Sequence, residues 1–297
     1  MNTQSIVPES REEKNKIVPG MLYLVATPIG NLDDISARAL KVLGGVDFVA
    51  AEDTRNSGRL LSHFGISKPM VSYFEHNKRQ KGESITARLL NGESCALITD
   101  AGTPAISDPG EDIVVLCAEK GIPVTSVPGA CAAITALALS GLPTGKFVFE
   151  GFLTTAKQEK QKRLRTLASE SRTIIFYEAP HKLRTTLSDL LDAFGDRRIA
   201  LCRELTKLNE DICRTTIADA VAYYETTDPR GEYVLIVEGT DKESPQLNEY
   251  PEDPKQHVSA LIDRGLERMD AIKTAAKERG LPKGAFYKLL LEAENRE

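Results

Sequence analysis

The chain has 297 residues, 41% of them hydrophobic and 27% charged, with a formal net charge of -5, ordinary values for a globular protein. That length is too great for one small core and suits two α/β lobes with an appendage. The negative balance excludes a wholly basic nucleic-acid coat but not a local basic surface, and no apolar stretch approaches the length needed to span a bilayer.

Residues 1–20 are polar and lack the apolar segment of a secretory leader, so a disordered extension is expected there. Met21-Leu22-Tyr23-Leu24-Val25-Ala26 reads as a first buried strand closed by Thr27-Pro28-Ile29-Gly30-Asn31. A helix from Asp33 to Leu43 is expected next, with its acids at the end the helix dipole favours. Phe48-Val49-Ala50-Ala51 is a second strand ending in Glu52-Asp53-Thr54-Arg55, with a helix to about Phe64. Met70 to Phe74 is a third strand, leading through Glu75-His76-Asn77 into a helix that runs to Leu90. Cys95 to Thr99 and Pro123 to Val127 are the fourth and fifth strands, and Ala130 to Leu139 a small-residue helix. Strands alternating with helices of this length imply a parallel sheet wound on both faces.

Ser140 to Lys146 reads as a hinge. Beyond it strands are expected at Phe147–Phe152, Thr173–Tyr177, Ile199–Cys202 and Tyr233–Val237, with helices near Lys157–Leu167, His181–Phe194 and Ala218–Glu225. This is a second α/β lobe with a mixed sheet. Asp241 to Pro254, polar with three prolines, reads as a linker, and a helical tail follows. The expected divisions are 1–20, 21–140, 146–240 and 254–292. The five cysteines, Cys95, Cys117, Cys131, Cys202 and Cys213, lie far apart without metal-ligand or redox spacing. Free thiols in a reducing cytoplasm are the simplest account.

The most informative segment is Leu97 to Gly110. An apolar run ends in Asp100 and breaks at once into a loop where Gly102 and Gly110 permit unusual backbone angles and Pro104 and Pro109 stiffen it. Open α/β sheets bind ligands outside the carboxyl ends of their strands. Neither a P-loop nor a Gly-x-Gly-x-x-Gly fingerprint occurs, and Asp100 and Asp108 would repel a pyrophosphate while suiting donors or positive charge. The plainer alternative is a loop with two capping acids, Asp108 serving a helix near Glu111.

Ala26-Thr27-Pro28-Ile29-Gly30-Asn31-Leu32, Ala51-Glu52-Asp53-Thr54-Arg55, Glu75-His76-Asn77, Asp100-Ala101-Gly102-Thr103-Pro104 and Val127-Pro128-Gly129-Ala130 occur in an order that resembles the ribosomal branch of the tetrapyrrole methylase family. Glu150-Gly151-Phe152 and Phe176-Tyr177-Glu178-Ala179-Pro180-His181 carry the resemblance into the second lobe. The Gly-x-Gly-Pro-Gly opening of most other family members is replaced here by Thr27-Pro28-Ile29-Gly30. The resemblance implies a two-lobed fold of that family, S-adenosyl-L-methionine as methyl donor, 2′-O-methylation of a decoding-region cytidine in small-subunit ribosomal RNA, and a homodimer. Carried over by motif, it places Pro28, Asp100, Ala101, Gly102, Ala105, Cys131, Ala132 and Glu178 around the donor; for Cys131 and Ala132, helix packing is an equal alternative.

A ribose hydroxyl is a poor nucleophile, so a positioned general base would help. The strand ends supply Glu52, Asp53, His76, Glu178 and His181 as candidates. Histidine as a residue type has the best unperturbed pKa for the task, which singles out His76, yet a loop histidine against the cleft wall is as good an account of it. Arg55 and Arg203 each neighbour an acid and form either structural ion pairs or phosphate contacts. Three basic runs would suit RNA: Lys78 and Arg79; Lys157, Lys162 and Arg163; and Lys273, Lys277 and Lys283 in a tail resembling a helix-turn-helix. A solvated helical cap is the alternative for that tail. Two rival readings stand beside RNA methylation: a methyltransferase of the same fold acting on a tetrapyrrole or a protein side chain, and a non-catalytic nucleic-acid regulator.

Overall fold

The computed structural model describes residues 16–240, 251, 253–279 and 281–294. Residues 1–15 of the expected extension, most of the expected linker (241–250 and 252) and Gly280 lie outside the described residues. The chain separates into two compact units, Met1–Gly239 and Thr240–Glu297.

The first unit carries two five-stranded sheets. Strands β1 (Leu22–Val25), β2 (Phe48–Ala51), β3 (Met70–Ser72), β4 (Cys95–Ile98) and β5 (Val124–Val127) form a sheet ordered β3-β2-β4-β1-β5, with every pair parallel. Alternation along the strands sorts their side chains onto opposite faces. Tyr23, Val49, Ala51 and Ile98 pack with α1 (Ala37–Gly45) and α2 (Thr54–His63). Leu22, Phe48, Ala50 and Leu97 pack on the other face with α3 (Lys78–Leu90) and α4 (Gly110–Glu119). The sheet is therefore wound on both faces. Ile17 also packs against the first of these cores.

The helix expected from Asp33 instead starts at Ala37. Asn31 caps a single 3-10 turn at Leu32–Asp34, Ile35 is extended, and the Ser36 hydroxyl accepts the Ala39 N–H at 3.0 Å. A hydroxyl cap one turn later overrides the weaker attraction of two acids for the helix dipole.

The second sheet holds β6 (Phe147–Phe152), β7 (Thr173–Glu178), β8 (Arg198–Arg203), β9 (Asp211–Thr216) and β10 (Tyr233–Val237), ordered β6-β7-β10-β8-β9. Only β6 and β7 run parallel, so the sheet is mixed. Its outer face packs under α6 (Lys157–Leu167), α7 (Pro180–Phe194) and α8 (Ile217–Thr226). Its inner face packs against α5 (Ala132–Leu139), whose Ala133, Ala136 and Leu137 meet Ile175, Ala200 and Val234. The helix that follows the first sheet in sequence thus lines the second sheet in space. Strand β9 was not expected: it lies at the sheet edge and is mostly solvent-facing, so its sequence lacks a buried apolar stripe.

The second unit is three helices, α9 (Pro254–Asp263), α10 (Arg268–Glu278) and α11 (Lys283–Glu294), closed around Val258, Leu261, Ile272, Ala275, Phe286 and Leu290. His257 is buried among them, its Nε2 2.7 Å from Glu278, while Arg279 Nε donates to its Nδ1. Among the described residues, no helix is long and apolar enough to cross a membrane.

Candidate active site

The carboxyl ends of the first sheet open into a cleft of about 820 Å³ whose opposite wall is the inner face of the second sheet. On the first-sheet side the floor is Thr99-Asp100-Ala101-Gly102-Thr103. Thr27 and Gly102 exchange backbone hydrogen bonds at 3.0 and 3.1 Å, which locks the loop after β4 to the loop after β1. Gly102 does this at φ +85, and a Cβ there would lie 3.3 Å from Ile29, so glycine brings bare backbone to the cleft.

Asp108 organises the rest of this loop. Its Oδ1 accepts the N–H groups of Ala105 (3.0 Å) and Gly110 (2.7 Å), and its Oδ2 that of Ile106 (3.2 Å). Asp108 also lines the cleft wall, but the residue that caps α4 is Pro109, one position later than expected; the Asp108 carboxylate braces the loop and the first helical N–H instead. Ala105 and Ser107 stand at φ +68 and +62, and across the cleft Glu204 and Thr206 at +50 and +66. Non-glycine residues in this region are strained, and such strain collects at functional sites.

Nine carboxylates line the cleft against two ammonium groups. Both lysines are clamped: Lys78 Nζ lies 2.8 Å from Glu75 and 2.7 Å from Asp112, and Lys207 Nζ lies 2.9 Å from both Glu204 and Glu232. Hydrogen bonds that the Lys78 ammonium donates to Asp112 and then to Glu75 push its pKa up. The remaining carboxylates leave the cleft negative, hospitable to a cation and hostile to a phosphate. Glu52 responds to this field: burial first, then the nearby charges of Asp100 and Asp108, raise its pKa above the ordinary carboxylate value.

The sequence-derived candidates divide by position. Asp100, Ala101, Gly102, Cys131, Ala132 and Glu178 line the cleft, as does Glu52. Pro28 is buried behind it, and Ala105 sits within the Asp108-braced turn. Glu178 is 4% exposed, its Oε1 accepting the Ala179 N–H and its Oε2 the Thr186 hydroxyl at 2.5 Å, so its carboxylate also fastens the start of α7. Asp53 caps α2 and is gripped by Arg55 at 3.0 Å, and neither lines the cleft. His76 is exposed with its ring edge-on to Phe74, 6.2 Å between centroids, and it is Glu75 that reaches the cleft. His181 is exposed on the first turn of α7.

Of the basic candidates, Lys78 lies in the cleft, and Arg163 holds Glu150 through two hydrogen bonds of 2.7 and 2.6 Å. Arg79, Lys157, Lys162 and Lys283 are exposed. Lys273 is exposed and 2.8 Å from Asp270. Lys277 falls in α10, but its side chain lies outside the described set. Arg203 approaches Asp211 at 3.8 Å and leaves its Nε buried without a hydrogen-bond partner.

Sequence reasoning missed the β8–β9 turn with Glu204, Leu205 and Lys207, and gave no role to Phe152 or Tyr177. The Arg203-Glu204 pair at a strand end was the one available signal for that turn. Burial pushes the Tyr177 pKa up to about 12, and its hydroxyl oxygen accepts the Ala133 N–H at 3.2 Å, tying the second sheet to the first turn of α5.

Residues 21–221 match the family model described as Tetrapyrrole (Corrin/Porphyrin) Methylases. The chain is 47% identical over 277 residues to the ribosomal RNA small subunit methyltransferase I of Synechocystis, covering 93% of this chain and 99% of that one. It is 45% identical to the Bacillus subtilis protein of the same name (90% and 93% covered) and 44% identical to that of Escherichia coli O157:H7 (93% and 96%). Among solved structures, uroporphyrin-III-C-methyltransferase from Thermus thermophilus superposes with a TM-score of 0.54 at 21% identity, over 74% of this chain and 94% of that one. A cobalt precorrin-4 methyltransferase gives the same TM-score at 17% identity, over 79% and 98%. At such identities these structures speak to the fold alone.

Proposed function

The chain belongs to the tetrapyrrole (corrin/porphyrin) methylase family, and from that premise we propose that it transfers a methyl group from S-adenosyl-L-methionine to the 2′-hydroxyl of a decoding-region cytidine in small-subunit ribosomal RNA. The names of its relatives support the substrate class. The observation that carries the reading is the cleft's charge: carboxylates in excess, both lysines already neutralised, and bare backbone at Gly102. Those features fit a nucleoside that bears a positive sulfonium and no phosphate.

Asp100, Ala101, Gly102, Cys131 and Ala132 would hold the donor, with Pro28 and Ala105 shaping the loops behind them. When bound, the donor supplies an activated methyl group on positively charged sulfur. Glu52, which lines the cleft, would take the proton from the ribose hydroxyl, a role its raised pKa supports. A positioned base of this kind contributes on the order of 10²–10⁴-fold. The exposed basic side chains Lys157, Lys162 and Lys283 would meet the RNA backbone outside the negative cleft. A homodimer working in the cytoplasm belongs to the same reading.

The test is transfer of a labelled methyl group. Small ribosomal subunits lacking the modification should accept it at a ribose in the decoding region. Transfer to a tetrapyrrole instead, or no transfer despite calorimetric binding of the donor, would defeat the proposal in favour of a different substrate or a non-catalytic sensor.

A further inference from the structure

Strands β6 and β7 pair in register from Phe147 opposite Thr173 to Phe149 opposite Ile175, then slip, so that Gly151 faces Phe176 and Phe152 faces Tyr177. Glu150 is the extra residue of a β-bulge. Without it Phe149 and Phe152, three positions apart, would point to opposite faces of the sheet. With it both rings reach Tyr177 on the cleft side: Phe149 edge-on with centroids 5.1 Å apart, Phe152 tilted at 56° and 5.4 Å away. Bulges beside active sites serve to re-aim a side chain.

This bulge is anchored from two directions. Arg163 grips both oxygens of Glu150, and Gly151, at φ +62, runs so close to the first lobe that a Cβ would lie 2.6 Å from Ser107 Oγ. The product of the arrangement is a phenylalanine that lines the cleft yet stays 57% exposed as a residue. The other aromatic residues of the cleft, Tyr177 and Tyr233, are turned inward by hydrogen bonds to Ala133 and to Tyr224.

We propose that the nucleobase of the target nucleotide stacks on Phe152, an inference that rests on RNA being the substrate. The negative cleft repels a phosphodiester, so a nucleotide enters with its uncharged base and sugar leading. Nothing charged in the cleft attracts a neutral base, whereas an exposed aromatic face does so whatever the base's hydrogen-bonding edge. Phe152 is more than half exposed, open to a polymer arriving from solvent.

The experiment compares full-length Phe152→Leu, which keeps apolar bulk without a π face, with Phe152→Trp, which keeps the face. Methyl transfer to undermethylated small subunits is measured at saturating S-adenosyl-L-methionine, and S-adenosylhomocysteine binding by calorimetry, which also reports folding. Stacking predicts a fall in kcat/KM for subunits of about 5- to 150-fold in the Leu variant, carried by KM, with product affinity unchanged and near-normal turnover in the Trp variant. Wild-type kcat/KM in the Leu variant overturns the proposal, and so does a parallel loss of product affinity, which would assign the ring to the donor's adenine. A wild-type protein inactive on subunits would overturn the RNA reading and this inference with it; wild-type activity alongside an unaffected Leu variant overturns this inference alone.

Discussion

Glu52 ends a fully buried strand, and its carboxyl group meets burial together with the charges of Asp100 and Asp108. Each favours the protonated form, so the folded-state pKa lies above the unfolded one. The stability this group contributes is then complete below the unfolded carboxylate pKa and is lost as pH rises through the folded value. Glu52→Gln is therefore expected to have a higher Tm than wild type at neutral pH, with the gap closing in acid; a gap that widens in acid would reverse the assignment. The same variant should bind S-adenosylhomocysteine normally while kcat falls about 10²–10⁴-fold and the acidic limb of its pH profile disappears. His76 offers the contrast. A histidine is attractive in the sequence because imidazole ordinarily titrates near neutrality, but His76 is exposed and does not line the cleft, so His76→Ala is expected to turn over normally at saturating RNA; a fall in kcat would return it to the candidate bases.

Among the elements, the β6 bulge shows how a single inserted residue re-aims a side chain, here bringing Phe152 onto the same face as Phe149. Gly151 combines a left-handed backbone with contact against Ser107, so Gly151→Ala should cost about 1–2 kcal/mol, or roughly 2–8 °C in Tm for a unit of this size. Transfer activity should fall further than stability accounts for, because Phe152 loses its aim. Thermal unfolding and single-turnover transfer together would show it; an unchanged Tm would mean that the strand accommodates a side chain there. Elements with a strong apolar period, such as β4 and α7, were legible from residues alone. The start of α1 and the edge strand β9 were not. A capping hydroxyl settled the first, and the second draws its order from pairing with β8 rather than from a buried face.

At the scale of the molecule, a protein of net charge -5 lines its cleft with carboxylates and carries exposed lysines on α6 and, in the second unit, on α10 and α11. Binding of RNA should be steep in salt because phosphate contacts release counterions, each shifting the log–log slope by about 0.7–0.9. Full-length protein carrying Lys273→Glu and Lys283→Glu should show weaker subunit binding and a shallower slope; an unchanged slope would remove the helical unit from the RNA grip. The sequence by itself determined the order of the strands and helices other than edge strand β9, the loops at the carboxyl ends of the first sheet, and the family, because apolar periodicity and runs of Gly, Pro and Asp are local properties. Only the tertiary structure decided which strand ends meet in one cleft, that α5 serves the second sheet, that Lys78 and Arg163 are spent on ion pairs, and that Phe152 faces the cleft. Each of those depends on residues far apart in the chain arriving within a few ångströms, and no local pattern encodes a distance of that kind.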